Sequence, residues 1–279
     1  MRLLAVASTA LAVVIAFNGS ALAAEAEFPV YTGDQFVALR DHAMSHELPN
    51  LTIPDDRVPI TGNEELDNRI YEMAFERGYV MTPIAVSELG TADGVRMQPQ
   101  AAEAWLQLKA AAREEGLRFI VSSAYRSPAS QRTQFLSKLE GSSDSAIEAT
   151  LRWYSVPGTS KHHSGYALDF RYREGTFGEF RSTPDYEWLA ADNFLIPKTF
   201  GFIPAYPDDV SEQGPNPEPW EFIWVGVELI KCGNPLEAPS TFIGPAAAIA
   251  QDVASCPGTN SGAGEAPLSL PVWLTRYAV

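Results

Sequence analysis

The order of elements along the chain reads as an α+β protein, and three observations carry that reading. Tyr166, Leu168 and Phe170 alternate with Ala167 and Asp169, the two-residue period of a strand with one apolar face. Leu117 to Ser122 holds the continuous apolar run Phe119-Ile120-Val121, a second buried strand. Between and around such runs lie helical spacings. The clearest is Pro99 to Glu115, where Ala102, Trp105, Leu106, Leu108 and Ala112 give the period and Gly116 ends it.

The remaining elements follow in chain order. Residues 1–23 read as a secretory signal: Arg2 is the charged start, Leu3 to Phe17 the apolar run, and Ala21-Leu22-Ala23 a small-residue cleavage site. The run is too short for a membrane span, and no later stretch is long and apolar enough. Residues 24–94 form an N-terminal extension, with amphipathic helices expected over Asp34 to His46 and Glu64 to Gly78. His42 and His46, four apart, share a face of the first helix and read as surface residues or as substitute metal ligands. Pro128 to Leu139 suits a helix, Gly141 to Ile147 a polar loop, and Val156-Pro157-Gly158 a turn. A helix over Pro184 to Phe194, a strand-like piece in Thr199 to Tyr206 and a last strand over Trp220 to Val225 complete a core at 95–231. Residues 232–279 are a C-terminal extension, flexible in composition between Pro257 and Pro267.

The net charge of −15 argues against electrostatic binding of nucleic acid. The two cysteines, Cys232 and Cys256, pair most simply with each other in an exported protein, closing a loop worth about 3 kcal/mol in chain-entropy terms. Neither sits in a CxxC or beside a histidine, which argues against cysteine ligation of a metal.

The chemistry is concentrated in Ser160-Lys161-His162-His163-Ser164-Gly165-Tyr166-Ala167-Leu168-Asp169, which places an imidazole seven positions before a carboxylate. On a strand, Asp169 lies opposite the apolar face and can meet His162 delivered from the loop before it, the start of a zinc site. A second stretch, Glu218-Pro219-Trp220-Glu221, brings two further acids beside a proline. A third, Ser123-Ala124-Tyr125-Arg126-Ser127 with Gln131, puts an arginine at the end of a strand, where it can hold a terminal carboxylate by two parallel hydrogen bonds.

These three ordered blocks, spread from roughly Val95 to Gly226, resemble the VanY-type D-alanyl-D-alanine carboxypeptidases, zinc peptidases related to the lysostaphin-like and hedgehog-like folds. The resemblance implies a small, mainly antiparallel central sheet flanked by helices. It also implies His162 and Asp169 as metal ligands, Glu218 as general base and Arg126 as a substrate contact, with Gln131 and Ser160 at the substrate. The expected substrate is the peptidoglycan stem peptide, cut near its C-terminus in the periplasm or cell envelope, and the expected cofactor one zinc ion or another divalent metal. The family continues Glu-Pro-Trp-His, and that histidine is its third ligand; this chain has Glu221 there. Glu221 as a replacement ligand gives a His, Asp, Glu site with a less electrophilic ion. Glu221 as a non-ligand gives an impaired homologue that binds peptidoglycan, and a third alternative has His163 swing in. A serine carboxypeptidase is excluded by the lack of GxSxG and of a serine three residues before a lysine.

Overall fold

The computed structural model describes residues 28–54, 57–233 and 241–243. In chain order, α1 is Gly33–His42, α2 Glu64–Glu76 and α3 Pro99–Glu114; β1 is Ile120–Ser123; α4 is Pro128–Leu136 and α5 Asp144–Leu151; β2 is Ala167–Arg171; α6 is Phe177–Phe180 and α7 Pro184–Thr199; β3 is Phe202–Pro204, β4 Glu221–Trp224 and α8 Val227–Cys232. The four strands form one antiparallel sheet in the order β1-β2-β4-β3. This is the α+β architecture expected, a small antiparallel sheet with helices around it. Short two-stranded pairs lie outside it, among them Phe28–Val30 with Thr241–Ile243.

The apolar face of β2 organises the main core. Leu168 and Phe170 are fully buried, and the Phe170 ring stacks on Trp105 of α3 at 5.1 Å and on Phe222 of β4 at 5.2 Å. Such ring pairs add to the large area each aromatic side chain removes from water. From the N-terminal segment, α1 delivers Phe36 and Leu39 to the same core. A second apolar cluster joins Ile70 and Met73 of α2 to Phe135 of α4 and Ile147 and Leu151 of α5.

Three expectations need correction. The stretch Gly141 to Ile147 is not all loop: α5 starts inside it, capped by the Ser143 hydroxyl, which accepts from the Ala146 N–H at 3.3 Å. The physical signal was Ile147 and Leu151, four apart and both buried. Leu106, counted in the period of α3, is half exposed, and the helix buries Ala101, Ala104, Trp105, Leu108 and Ala112 instead. The helix expected to end at Phe194 runs to Thr199, but its backbone breaks at Asp192, Asn193 and Phe194, all with φ between 50° and 60°. That unusual turn lets the Asn193 amide bond both backbone groups of Tyr31, at 2.8 Å each, tying the N-terminal strand to the body. The signal segment, the Pro257 to Pro267 stretch and the Cys232–Cys256 pairing fall on or involve residues outside those described. No described helix is long and apolar enough to cross a membrane.

Because Phe170 lies between two stacked rings and carries no polar contact, Phe170→Ala should cost about 3–5 kcal/mol, as large buried aromatics do. Urea unfolding followed by tryptophan fluorescence measures it.

Candidate active site

The sheet register fixes the first two acids. In the β2–β4 ladder Asp169 lies directly opposite Glu221, and on its other side Asp169 faces Ser123 of β1. Direct partners in an antiparallel ladder project from the same face, so both carboxylates leave the sheet side by side, away from Phe170 and Phe222. Both are buried, Asp169 4% and Glu221 4% exposed.

His162 arrives from the turn before β2. Lys161–Ser164 is a single 3-10 turn, closed by Gly165 at φ +76°. A side chain at Gly165 would meet Leu89 at 3.1 Å and Gln98 at 3.3 Å, so both the conformation and the space call for glycine. Within that turn the His162 Nδ1–H donates to the Ala124 carbonyl, which fixes the tautomer and turns Nε2 toward the acids. Nε2 stands 3.2 Å from Asp169 Oδ2 and 3.5 Å from Glu221 Oε2.

Glu218 is placed by a tight turn: its N–H donates to the Tyr206 carbonyl at 3.1 Å, and its carbonyl accepts from the Glu221 N–H at 3.0 Å. Arg126 follows β1 through Ala124 and Tyr125. Its Nη1 donates to Gln131 Oε1 at 2.8 Å and its Nη2 lies 3.9 Å from Asp169 Oδ2. Gln131 is itself anchored, donating through Nε2 to the Ser155 carbonyl at 2.7 Å. Arg126, Gln131, Ser160, His162, Asp169, Glu218 and Glu221 all line one cleft of about 280 Å³. A larger open groove of about 1030 Å³ beside Lys109, Arg113 and Tyr172 contains none of them.

The electrostatics are those of three crowded acids. Burial opposes charge on Glu218, and the neighbouring Glu221 and Asp169 carboxylates add to it, so its pKa stands well above the ordinary carboxyl range. Burial also works against ionised Glu221, but the His162 imidazole and hydrogen bonds from His162 and Glu218 outweigh it and hold its pKa low. For His162, burial disfavours the cation and the Asp169 carboxylate outweighs burial, raising the pKa to about 9. The cluster thus gathers positive charge wherever it can. Asp169 Oδ1 and Glu221 Oε1 are buried without a hydrogen-bond partner, an expensive condition for carboxylate oxygens. One atom each from His162, Asp169 and Glu221 lie within 4.8 Å of one another. An imidazole nitrogen and two orphaned carboxylate oxygens in a cleft suit a divalent cation with a position left open.

The other histidines are elsewhere. His163 does not swing in, nor does it form a wall of the cleft. It is fully buried, donates from Nδ1 to the Arg126 carbonyl at 2.6 Å and accepts at Nε2 from the Gly158 N–H at 3.0 Å. Burial lowers its pKa to about 4, which keeps it neutral and able to do both. His42 and His46 stack on each other at 4.9 Å and stand outside the cluster. Sequence reasoning missed the cleft walls Trp153 and Tyr154 just after α5, since the first half of that helix was read as loop and its end was not recognised.

Fold and donor set define a class first: an α+β chain carrying a buried His–Asp–Glu cluster, with a third acid and an arginine, in a single cleft. The VanY family model, D-alanyl-D-alanine carboxypeptidase, matches residues 94–227, and that segment is a VanY-family domain. A D-alanyl-D-alanine carboxypeptidase of Enterococcus faecalis is 34% identical over 126 residues, 42% of this chain and 44% of that protein. The putative carboxypeptidase YodJ of Bacillus subtilis is 28% identical over 141 residues, 48% of each. The chain thus spans less than half the length of these relatives. Among solved structures, the vancomycin resistance D,D-pentapeptidase VanY in complex with Zn(II) is 31% identical with a TM-score of 0.45, covering 53% of this chain and 86% of that one. VanYB in complex with D-alanine-D-alanine is 32% identical with a TM-score of 0.43, covering 50% and 78%.

His163 joins two loops that hold Arg126 and the turn before Ser160. His163→Ala leaves the Gly158 N–H and the Arg126 carbonyl unpaired, and should lower stability by about 1–3 kcal/mol. Denaturant unfolding of the purified variant measures the loss.

Proposed function

We propose that this chain is a metal-dependent carboxypeptidase that hydrolyses a peptide bond near the C-terminus of peptidoglycan stem peptides, of the D-Ala-D-Ala type, in the cell envelope. One observation carries the reading: Asp169 and Glu221, direct cross-strand partners, are buried together with His162 Nε2 between them. The named activities of the Enterococcus faecalis relative and of VanY point to the same substrate class.

In this reading His162, Asp169 and Glu221 hold one divalent cation, zinc in the first instance, which when bound supplies Lewis acidity toward an amide carbonyl. Glu218 is the general base. Its raised pKa suits it to take a proton from the attacking water and release it to the leaving amine, because a base too weakly basic would not accept it. Held by the Tyr206 carbonyl on one side and the turn to Glu221 on the other, its backbone is fixed at the edge of the cleft. Arg126 receives the substrate's terminal carboxylate with its planar fork, while Gln131, anchored to Ser155, braces the guanidinium. A cleft of about 280 Å³ fits the end of a peptide and little more.

Elemental analysis and D-alanine release from a pentapeptide stem separate these roles. Asp169→Ala should lose bound metal and activity together. Glu218→Ala should keep the metal and lose turnover by about 10²–10⁴-fold, the usual worth of a general base. Loss of metal in Glu218→Ala would remove it from the role of base. Arg126→Lys should raise KM for the stem peptide by about tenfold or more with metal retained, since an ammonium cannot make two parallel bonds; an unchanged KM would place the terminal carboxylate elsewhere.

A further inference from the structure

The roles above make no use of the positive charge buried next to the triad. Lys161 is 3% exposed and Arg40 2%, and buried cations of this kind require anions facing them. Asp41 is one: Arg40 Nε donates to its Oδ1 at 2.8 Å, and Lys161 Nζ lies 3.6 Å from the same atom. A single carboxylate, with its side chain 38% exposed, leaves two buried cations with a net positive charge.

The connections from that charge lead to position 221. Arg40 Nη1 donates to the Ala205 carbonyl, and the Ala205 N–H donates to the Glu221 carbonyl at 2.9 Å. The Arg40 guanidinium lies 5.3 Å from the centre of the Tyr206 ring, and the Tyr206 carbonyl holds the Glu218 N–H. Lys161 immediately precedes His162 in the same buried turn. Lys161 and Arg40, joined through Asp41 and tied to the Ala205 backbone, thus border the two segments that carry His162 and Glu221.

We propose that Lys161 and Arg40, gathered by Asp41, are positioning residues for Glu221: they are the counter-charge matched to a carboxylate, rather than an imidazole, at the third ligand position. This rests on reading Glu221 as a ligand. Two anionic ligands, Asp169 and Glu221, cancel the charge of a divalent cation and weaken it as a Lewis acid, where an imidazole at 221 leaves one positive unit on the ion. Cations placed behind Glu221 offset its charge without occupying the cleft. With an imidazole at the same place, the two buried cations would have only the Asp41 carboxylate to balance them. The N-terminal helix α1, which lies outside the matched segment 94–227, is by this argument part of the active centre.

The test is a double-mutant cycle on the full chain, Lys161→Met and Glu221→His, read as the thermal midpoint of chelator-treated protein, with Lys161→Arg as the conservative control. Lys161→Met should lower the midpoint by about 3 °C or more with glutamate at 221 and leave or raise it with histidine there, and Lys161→Arg should restore it. Equal losses in both backgrounds, or failure to fold in both, would mean a packing role and overturn the proposal. Zinc affinity of Glu221→Gln, by competition with a chromophoric chelator, checks the underlying reading separately. A loss of tenfold or more supports ligation, and unchanged affinity removes Glu221 from the ligand set whatever the cycle shows.

Discussion

Two ionisable acids set side by side in a buried sheet are the constraint around which this structure is built. Asp169 and Glu221 face each other across β2 and β4 with almost no solvent to screen them, and like charges directly opposite in a ladder destabilise it. Nothing in the strands themselves relieves the repulsion. Relief comes from outside the sheet, through the His162 imidazole between the acids and the Arg126 guanidinium beside Asp169. An arrangement that burial and repulsion both oppose persists because the opposite face of the same strands is strongly stabilising. Phe170 and Phe222, the neighbours in sequence of the two acids, stack on each other, and Phe170 stacks on Trp105 within the core. Each strand thus carries an unfavourable charge on one face and a favourable aromatic on the other.

Sheet and loops divide the positioning between them. The strands fix the two carboxylates through register, which a side chain cannot alter without a slip that would turn the aromatics into the cleft. The loops fix everything that must approach from above, and they do so by backbone contacts rather than by packing. The Ala124 carbonyl orients His162, the His162 carbonyl accepts from the Arg126 N–H at 3.1 Å, and His163 joins the Arg126 and Gly158 backbones. The β1–α4 loop and the turn before β2 are therefore one unit, each holding the other's reactive side chain in place.

The parts of the molecule that repeat on a short period were legible in the sequence. Alternation around Asp169 marked β2 and its two faces, and the spacing in Pro99–Glu114 marked α3 with Trp105 inside. Convergence of His162, Asp169 and Glu221 followed from strand alternation together with motif order. What escaped was decided by contacts distant in sequence. His163 is adjacent to His162 and chemically identical to it, yet its partners at positions 126 and 158 make it a structural pin. The left-handed turn at Asp192–Phe194 contradicts local helical spacing and is stabilised by Tyr31, about 160 residues away. The loop reading of Gly141 to Ile147 gave weight to polar composition where the pair Ile147 and Leu151 carried the information.

In its proposed role, Glu221 makes a ligand exchange a change to the whole site. Replacing an imidazole by a carboxylate of similar reach alters one unit of charge in a region where burial makes each unit costly. That unit has to be balanced locally, because the strongly acidic surface of a chain with net charge −15 cannot supply it. The balancing groups need not share the motif, only the volume around it. Here Arg40 and Asp41 come from a helix more than a hundred residues upstream of His162 and reach the back of β4 through the Ala205 carbonyl. In the proposed arrangement the site is therefore larger than those three short blocks, and Arg40 and Asp41 come from a segment the shared pattern does not include.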